Sequence, residues 1–372
     1  ENAEPRLSPA EQYNVGDNYI SGWFRLTMGG EEEFLPMYDG TGAVPASVGR
    51  AQVYTVAQQP SSQRLDVATF MEPSSRVRPA GDATVTYCAS LSGRPYPQQF
   101  PACADSDEIT SSQAPHWTPM RFAPSAPAGE MAVLEWTAEN GGLRVDVPAG
   151  VRDVSGFDNL TFRAAPTVDG AADLTVTVVD GSGRSASTVV SEVSDALTPM
   201  PGTESPLNKT YLRMVQIPVA DLQGVDTTDV RQVRLTGVGE SGGAYLSDLS
   251  FSSPGVGTAN TLDLPNLYVS DATVNEGQGP SSAKIALQLD EPADTVVSAY
   301  VEANGGESGA QRLAAPLTIV PGQTCAVFDV PVEGDRLTAT EATTDVTVTA
   351  AAVTGASSAD TFGRLTIRED DA

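Results

Sequence analysis

The sequence predicts a mainly β protein in which one N-terminal amphipathic helix is followed by two β-sandwiches. Beyond about residue 45, short runs rich in β-branched residues recur, among them AQVYTVA, RLDVATF, LTVTVVD and VRQVRLTGV, separated by turn residues such as Asp180-Gly181 and Gly242-Gly243. Large apolar residues at helical spacing occur together only near the start of the chain. The stretch PGVGTANTLDLP at 254–265 lacks either periodicity and reads as a linker between two β sets. The second set, from NLYVSDATVNEG to GRLTIREDDA, has the length and strand density of an immunoglobulin-like sandwich.

The helix has a complete start signal. Ser8 is placed as N-cap, Pro9 as the first helical residue, and Glu11 as the acid of a capping box. Val15, Tyr19, Ile20, Trp23, Phe24 and Met28 then follow at helical spacing, and Gly29-Gly30 ends the run. So many large apolar side chains on a lone helix must be buried against something. Tyr19, Ile20, Trp23 and Phe24 are therefore the predicted docking residues. Glu31-Glu32-Glu33 stands just past the helix end, where acids oppose the dipole.

Charge narrows the functional classes. The 372 residues carry 21 Lys and Arg against 48 Asp and Glu, a formal net charge of −27. Nucleic acid is a poor partner for such a chain, because phosphate binding needs clustered cations, and anionic membrane surfaces are disfavoured for the same reason. The longest apolar runs are too short for a membrane-spanning helix. Acidity of this degree is expected of a secreted, extracellular protein, and Glu1 at the first position fits a chain processed from a longer precursor. Of three cysteines, Cys88 and Cys103 bracket a Pro- and Gly-containing loop, CASLSGRPYPQQFPAC. Two readings remain: a disulfide, which stabilises such a loop by roughly 3 kcal/mol, or two unpaired thiols. Cys325 lies in TCAVFDVPV and is expected to be a small buried apolar residue.

No catalytic set emerges. The nucleophile elbow G-x-S-x-G does not occur, and Asp180-Gly181-Ser182-Gly183 reads as a hairpin turn. His116 is the single histidine and so the one candidate proton carrier. Its setting between Pro115 and Pro119 reads instead as an extended loop packed on a sandwich. One histidine also leaves no zinc site of ordinary composition. The three tryptophans offer flat faces for sugar stacking, and Trp117 is the candidate, since Trp23 and Trp136 read as packing residues.

Three stretches resemble known families. VSDATVNEG, LTIVPGQT, the following EGD and the closing LTIREDD resemble a Calx-β domain. That resemblance implies a sandwich that binds Ca2+ at one end, with Glu276, Asp335, Asp370 and Asp371 as ligands. Calcium takes six to eight oxygens, so convergent carboxylates suit it. One departure stands out: where the family has an Asp after its third strand, NGGESGAQR offers only Glu307. VSGFDNLTFRAAP, VQIPVADLQGVDTTDVRQVRL and GGAYLSDLSF resemble the galactose-binding-like jelly rolls found beside secreted hydrolases. RLSPAEQYNVGDNYISGWFRLTMGGEEEFLPMYDG resembles the final helix of a secreted bacterial α/β-hydrolase. Together these imply three segments: 1–44, the terminal helix and linker of an α/β-hydrolase domain; 45–255, a jelly-roll-like sandwich with a disulfide-closed loop; and 262–372, a Calx-β-like domain. The expected function is a non-catalytic C-terminal accessory region of an esterase- or lipase-like hydrolase. Its partners would be the upstream catalytic domain and a polysaccharide or polymeric ester. The alternative is a stand-alone extracellular protein of carbohydrate- or calcium-dependent adhesion.

Overall fold

A computed structural model of the chain describes residues 7–70, 73–88, 131–167, 172–199, 212–255, 262–304, 313–336 and 342–371. Cys103, His116 and Trp117 lie outside the described residues, and with them the predicted Cys88–Cys103 bridge and the stacking platform. The chain divides into two compact units, one of residues 1–59 and 64–257, the other of 60–63 and 258–372.

The one α-helix among the described residues, α1 (Pro9–Thr27), begins as its sequence requires. Ser8 Oγ accepts the Glu11 N–H at 3.3 Å, and Glu11 Oε2 accepts the Ser8 N–H at 2.7 Å. Arg50 closes on the same carboxylate at 2.6 Å. That contact, joined by the Ser8 N–H, holds the Glu11 pKa down to about 2. One face of α1 is covered by the segment that follows it. Gly22 and Leu26 are buried there, and the Tyr38 hydroxyl donates to the Tyr19 carbonyl. The Tyr38 ring meets Tyr19 and Trp23 edge-on at centroid distances of 5.7 and 5.3 Å. Gly22 permits this approach, since a Cβ there would lie 2.6 Å from the Tyr38 hydroxyl oxygen. Glu31, just past the helix end, forms an ion pair with Arg25, which offsets its unfavourable place at the negative pole.

Among its described residues the first unit lays eleven strands in two sheets. They are β1 (Arg64–Ala68), β2 (Val77–Ala80), β3 (Ala83–Cys88), β4 (Met131–Trp136), β5 (Gly142–Asp146), β6 (Asn159–Pro166), β7 (Leu174–Asp180), β8 (Ser185–Val189), β9 (Arg213–Pro218), β10 (Val230–Gly237) and β11 (Gly242–Ser252). One sheet runs β3-β4-β11-β6-β9, with β1 also paired to β11; the other runs β2-β5-β10-β7-β8. Every pairing is antiparallel. Alternation along each strand turns Leu134, Trp136, Leu160, Phe162, Val215, Ile217, Val233, Leu235 and Phe251 into one shared core. Trp136 is buried at 1% exposure against glycine backbone: a Cβ on Gly242 would sit 2.3 Å from its ring, as would one on Gly237. Asp180-Gly181 turns the β7–β8 hairpin as expected, with Gly183 at φ +85°. AQVYTVA does not become a strand; residues 51–60 run as irregular chain without ladder partners, because their backbone joins no sheet.

The second unit is a separate sandwich with nine strands among its described residues: β12 (Asn266–Val269), β13 (Ala272–Asn275), β14 (Ser281–Leu289), β15 (Val297–Asn304), β16 (Leu313–Ile319), β17 (Cys325–Val332), β18 (Thr343–Thr354), β19 (Ser357–Asp360) and β20 (Phe362–Arg368). Its sheets run β17-β14-β12-β19 and β13-β20-β18-β15-β16. NLYVSDATVNEG, a single run in sequence, divides at Ser270-Asp271 into strands of opposite sheets, β12 and β13. Each then pairs in parallel with a late strand, β12 with β19 and β13 with β20. Leu267, Ile285, Leu287, Val301, Phe328, Val348 and Leu365 fill the core between the sheets. The same alternation corrects the expectation for Cys325. On β17, Phe328, Val330 and Val332 point inward, so Cys325 has the opposite parity and is an exposed, free thiol.

Candidate binding sites

The acidic residues singled out in the second unit are gathered by three chain ends. β13 and β20 are in parallel register up to Asn275 and Arg368, so Glu276 and Glu369 leave the sheet side by side. The chain leaving β17 passes against them at Gly334, where a Cβ would lie 2.4 Å from the Gly277 carbonyl oxygen. This close approach delivers Asp335, whose N–H donates to Glu276 Oε1 at 3.3 Å. Asp370 Oδ1 accepts the Gly277 N–H at 3.0 Å, and the Asp371 N–H donates to Glu369 Oε1 at 2.8 Å. Glu276, Asp335, Asp370 and Asp371 thus share one end of the sandwich, and Glu369 joins them.

Their electrostatics reflect crowding. Desolvation raises the Glu276 pKa above the ordinary glutamate value, and the Glu369, Asp335 and Asp371 charges add to the rise. Asp371 is raised in the same way, by desolvation and then by Glu369, Asp370 and Asp335, with Arg336 opposing. Asp371 Oδ2 is buried and has no hydrogen-bond partner. A buried carboxylate oxygen beside like charges is thus left unsatisfied at this end of the sandwich. The cage itself is not formed: among the described residues no three His, Cys, Asp or Glu side chains are grouped so as to hold a metal ion. Asp370 and Glu276 direct oxygens at backbone N–H groups instead.

The helix residues divide between two environments. Tyr19 and Trp23 touch Tyr38, though Trp23 stays 51% exposed, and Ile20 and Phe24 are 61% and 55% exposed. Tyr13 and Met28 extend that exposed side along the helix. In the first unit Asp248 has φ +56°, sits at a bulge of the β6–β11 ladder and pairs with Arg163.

A concavity of about 640 Å³ opens beside edge strand β9 in the first unit, and the sequence pointed to none of it. It lies between irregular segment 53–55, the 193–195 turn and β9. Ser194 fixes that turn by donating from Oγ to the Met214 carbonyl at 2.7 Å. Arg213, 4% exposed, donates from Nη2 to the Ala196 carbonyl at 3.0 Å and lies 3.5 Å from Asp195 through Nη1. Its guanidinium carbon is 5.1 Å from the Tyr54 ring centroid. Burial, followed by Asp195, raises the Tyr54 pKa. Irregular segments of this kind have no periodicity, so their meeting with β9 left no mark in the sequence.

No family model matches this chain, and no curated protein sequence matches it. Among solved structures it is similar to the apo form of the Calx CBD1 domain, at 16% identity over 29% of this chain and all of that one, with a TM-score of 0.24. It is also similar to a family 11 carbohydrate-binding module of Clostridium thermocellum in complex with a β-1,3-1,4-mixed-linked tetrasaccharide. That match has 10% identity over 51% of this chain and 95% of the module, with a TM-score of 0.29. An exo-β-agarase matches at 12% identity over 58% of this chain but 27% of its own length, with a TM-score of 0.30.

Proposed function

We propose that this chain is a non-catalytic binding and docking region of a secreted α/β-hydrolase of esterase or lipase type. The observation that carries the reading is α1. Its Gly22–Leu26 side is covered within its own unit, while Tyr13, Ile20, Phe24 and Met28 form an exposed stripe on the other side. A helix apolar on two sides suits a place between two surfaces. The occupant we assign to the open side is the hydrolase domain whose terminal helix this segment resembles. The sandwiches would hold that domain near a polysaccharide or polymeric ester outside the cell. Mass and terminal sequencing of the natural secreted protein provide the first test, with a hydrolase preceding residue 1 as the expected result. With the hydrolase domain supplied as a separate chain, Ile20→Asp with Phe24→Asp should abolish its co-purification with this region. A natural polypeptide translated and secreted without any such domain would overturn the reading.

Calcium is the ion we assign to the acidic end of the second unit, supported by the orphaned Asp371 oxygen and the raised Glu276. Binding requires the Glu276 and Asp370 carboxylates to leave their backbone N–H partners and turn together. The alternative, a stand-alone adhesion protein, is favoured by the same acidic end and by Trp117. It predicts binding to a polysaccharide that calcium strengthens and Trp117→Ala removes.

A further inference from the structure

We infer that the concavity beside β9 is a binding site for a neutral sugar of one or two rings, with Tyr54 as its platform. The inference rests on the proposed binding role of the first unit, but neither on Trp117 nor on the helix. Its size falls within the roughly 300–1,000 Å³ typical of small-ligand clefts. Two residues that line it, Arg213 and Thr55, each hold a buried side-chain atom without a hydrogen-bond partner, Arg213 Nε and Thr55 Oγ1, just beneath the cleft surface. Buried polar groups are nearly always paired, so two orphans in residues of one cleft point to a ligand that pairs them after a small turn of the Thr55 hydroxyl and the Arg213 guanidinium. The unmet needs are an N–H donor and a hydroxyl, and a ligand hydroxyl serves both.

The remaining chemistry selects among hydroxylated ligands. Tyr54 is 39% exposed and offers an aromatic surface for the C–H face of a pyranose. Asp195 and Asn159 add planar polar groups at the rim, and a carboxylate or amide can engage two neighbouring hydroxyls at once. Charge excludes an anion. Arg213 is already faced by Asp195, Asp221 stands nearby, and the whole chain carries −27. A free cation is disfavoured by the fixed guanidinium, which is more than nine-tenths buried. A neutral polyol with an apolar face is what remains.

The test is calorimetric titration of the full chain with soluble neutral gluco-, xylo- and galacto-oligosaccharides, alongside oligogalacturonate as the anionic control. At least one neutral series should bind, and the uronate should not. Tyr54→Ala should weaken that binding at least tenfold and leave the melting temperature nearly unchanged, because Tyr54 is 39% exposed. Asp195→Asn should weaken binding several-fold and also lower the melting temperature, because it removes the carboxylate facing the buried Arg213. Arg213 is buried, so its replacement is not needed for the test. Binding that survives Tyr54→Ala and is lost in Trp117→Ala would place the sugar elsewhere, overturning this site while sparing the wider binding role. Preference for the uronate would overturn the ligand class. No binding by any member would overturn the site and the carbohydrate role together.

Discussion

At the residue scale, backbone approach and local charge set the tolerances. Gly237 and Gly242 line Trp136, and a methyl group at either enters the ring. Gly242→Ala should cost about 1–3 kcal/mol by overpacking, and Trp136→Ala about 3–5 kcal/mol by leaving a cavity. Denaturant titration of the two variants checks both figures. The acids of the two units respond to pH in opposite directions. Glu11 has a folded pKa near 2, below the unfolded value of about 4.3, so its contribution is present above that value and lost as pH falls through 2. Residue-resolved amide exchange should show the first turn of α1 opening on acidification, and Glu11→Gln should remove that dependence. Glu276 and Asp371 are raised, so their contribution is full at low pH and lost as pH rises through the folded values. Calcium favours the ionised forms and should abolish this loss. An unchanged pH dependence of the second unit in millimolar calcium would count against an ion at that end.

At the scale of elements, α1 and the edge strands decide what the surface offers. The helix start was legible, because a capping box is a local device: Ser8, Pro9 and Glu11 need nothing distant to work. Which side of the helix is covered was not legible, since Tyr19, Ile20, Trp23 and Phe24 look alike in sequence. Tyr38 meets Tyr19 and one edge of the half-exposed Trp23, leaving Ile20 and Phe24 out. Ile20→Asp with Phe24→Asp should therefore leave the helical circular dichroism and the melting temperature nearly intact, while Leu26→Ala should cost about 2–5 kcal/mol. A large loss of stability in the Asp pair would show that the exposed stripe is covered within the chain. The split of NLYVSDATVNEG is another tertiary decision: its β propensity is continuous, but parallel pairing with β19 and β20 sends its halves to different sheets.

At the scale of the whole molecule, two closed cores predict two melting transitions. Each apolar cluster is completed by strands of its own unit. Calorimetry should resolve two events, and calcium should raise only the one assigned to the second unit. Glu276→Gln should cancel that rise without moving the other transition. A single transition shifted as a whole would argue against independent cores.

The sequence by itself determined the mainly β class, most strands, the Asp180-Gly181 hairpin and the capped helix. These depend on alternation, turn chemistry and capping, which are short-range. It also marked Glu276, Asp335, Asp370 and Asp371, through a resemblance carried by nearby residues. Tertiary structure alone decided that Cys325 faces outward, that residues 51–60 join no sheet, and that Tyr54, Thr55, Asp195 and Arg213 share one cleft. The physical reason is range: local pattern sets which way a backbone can run, whereas the meeting of an irregular segment with a distant edge strand is set by packing and leaves no period to read.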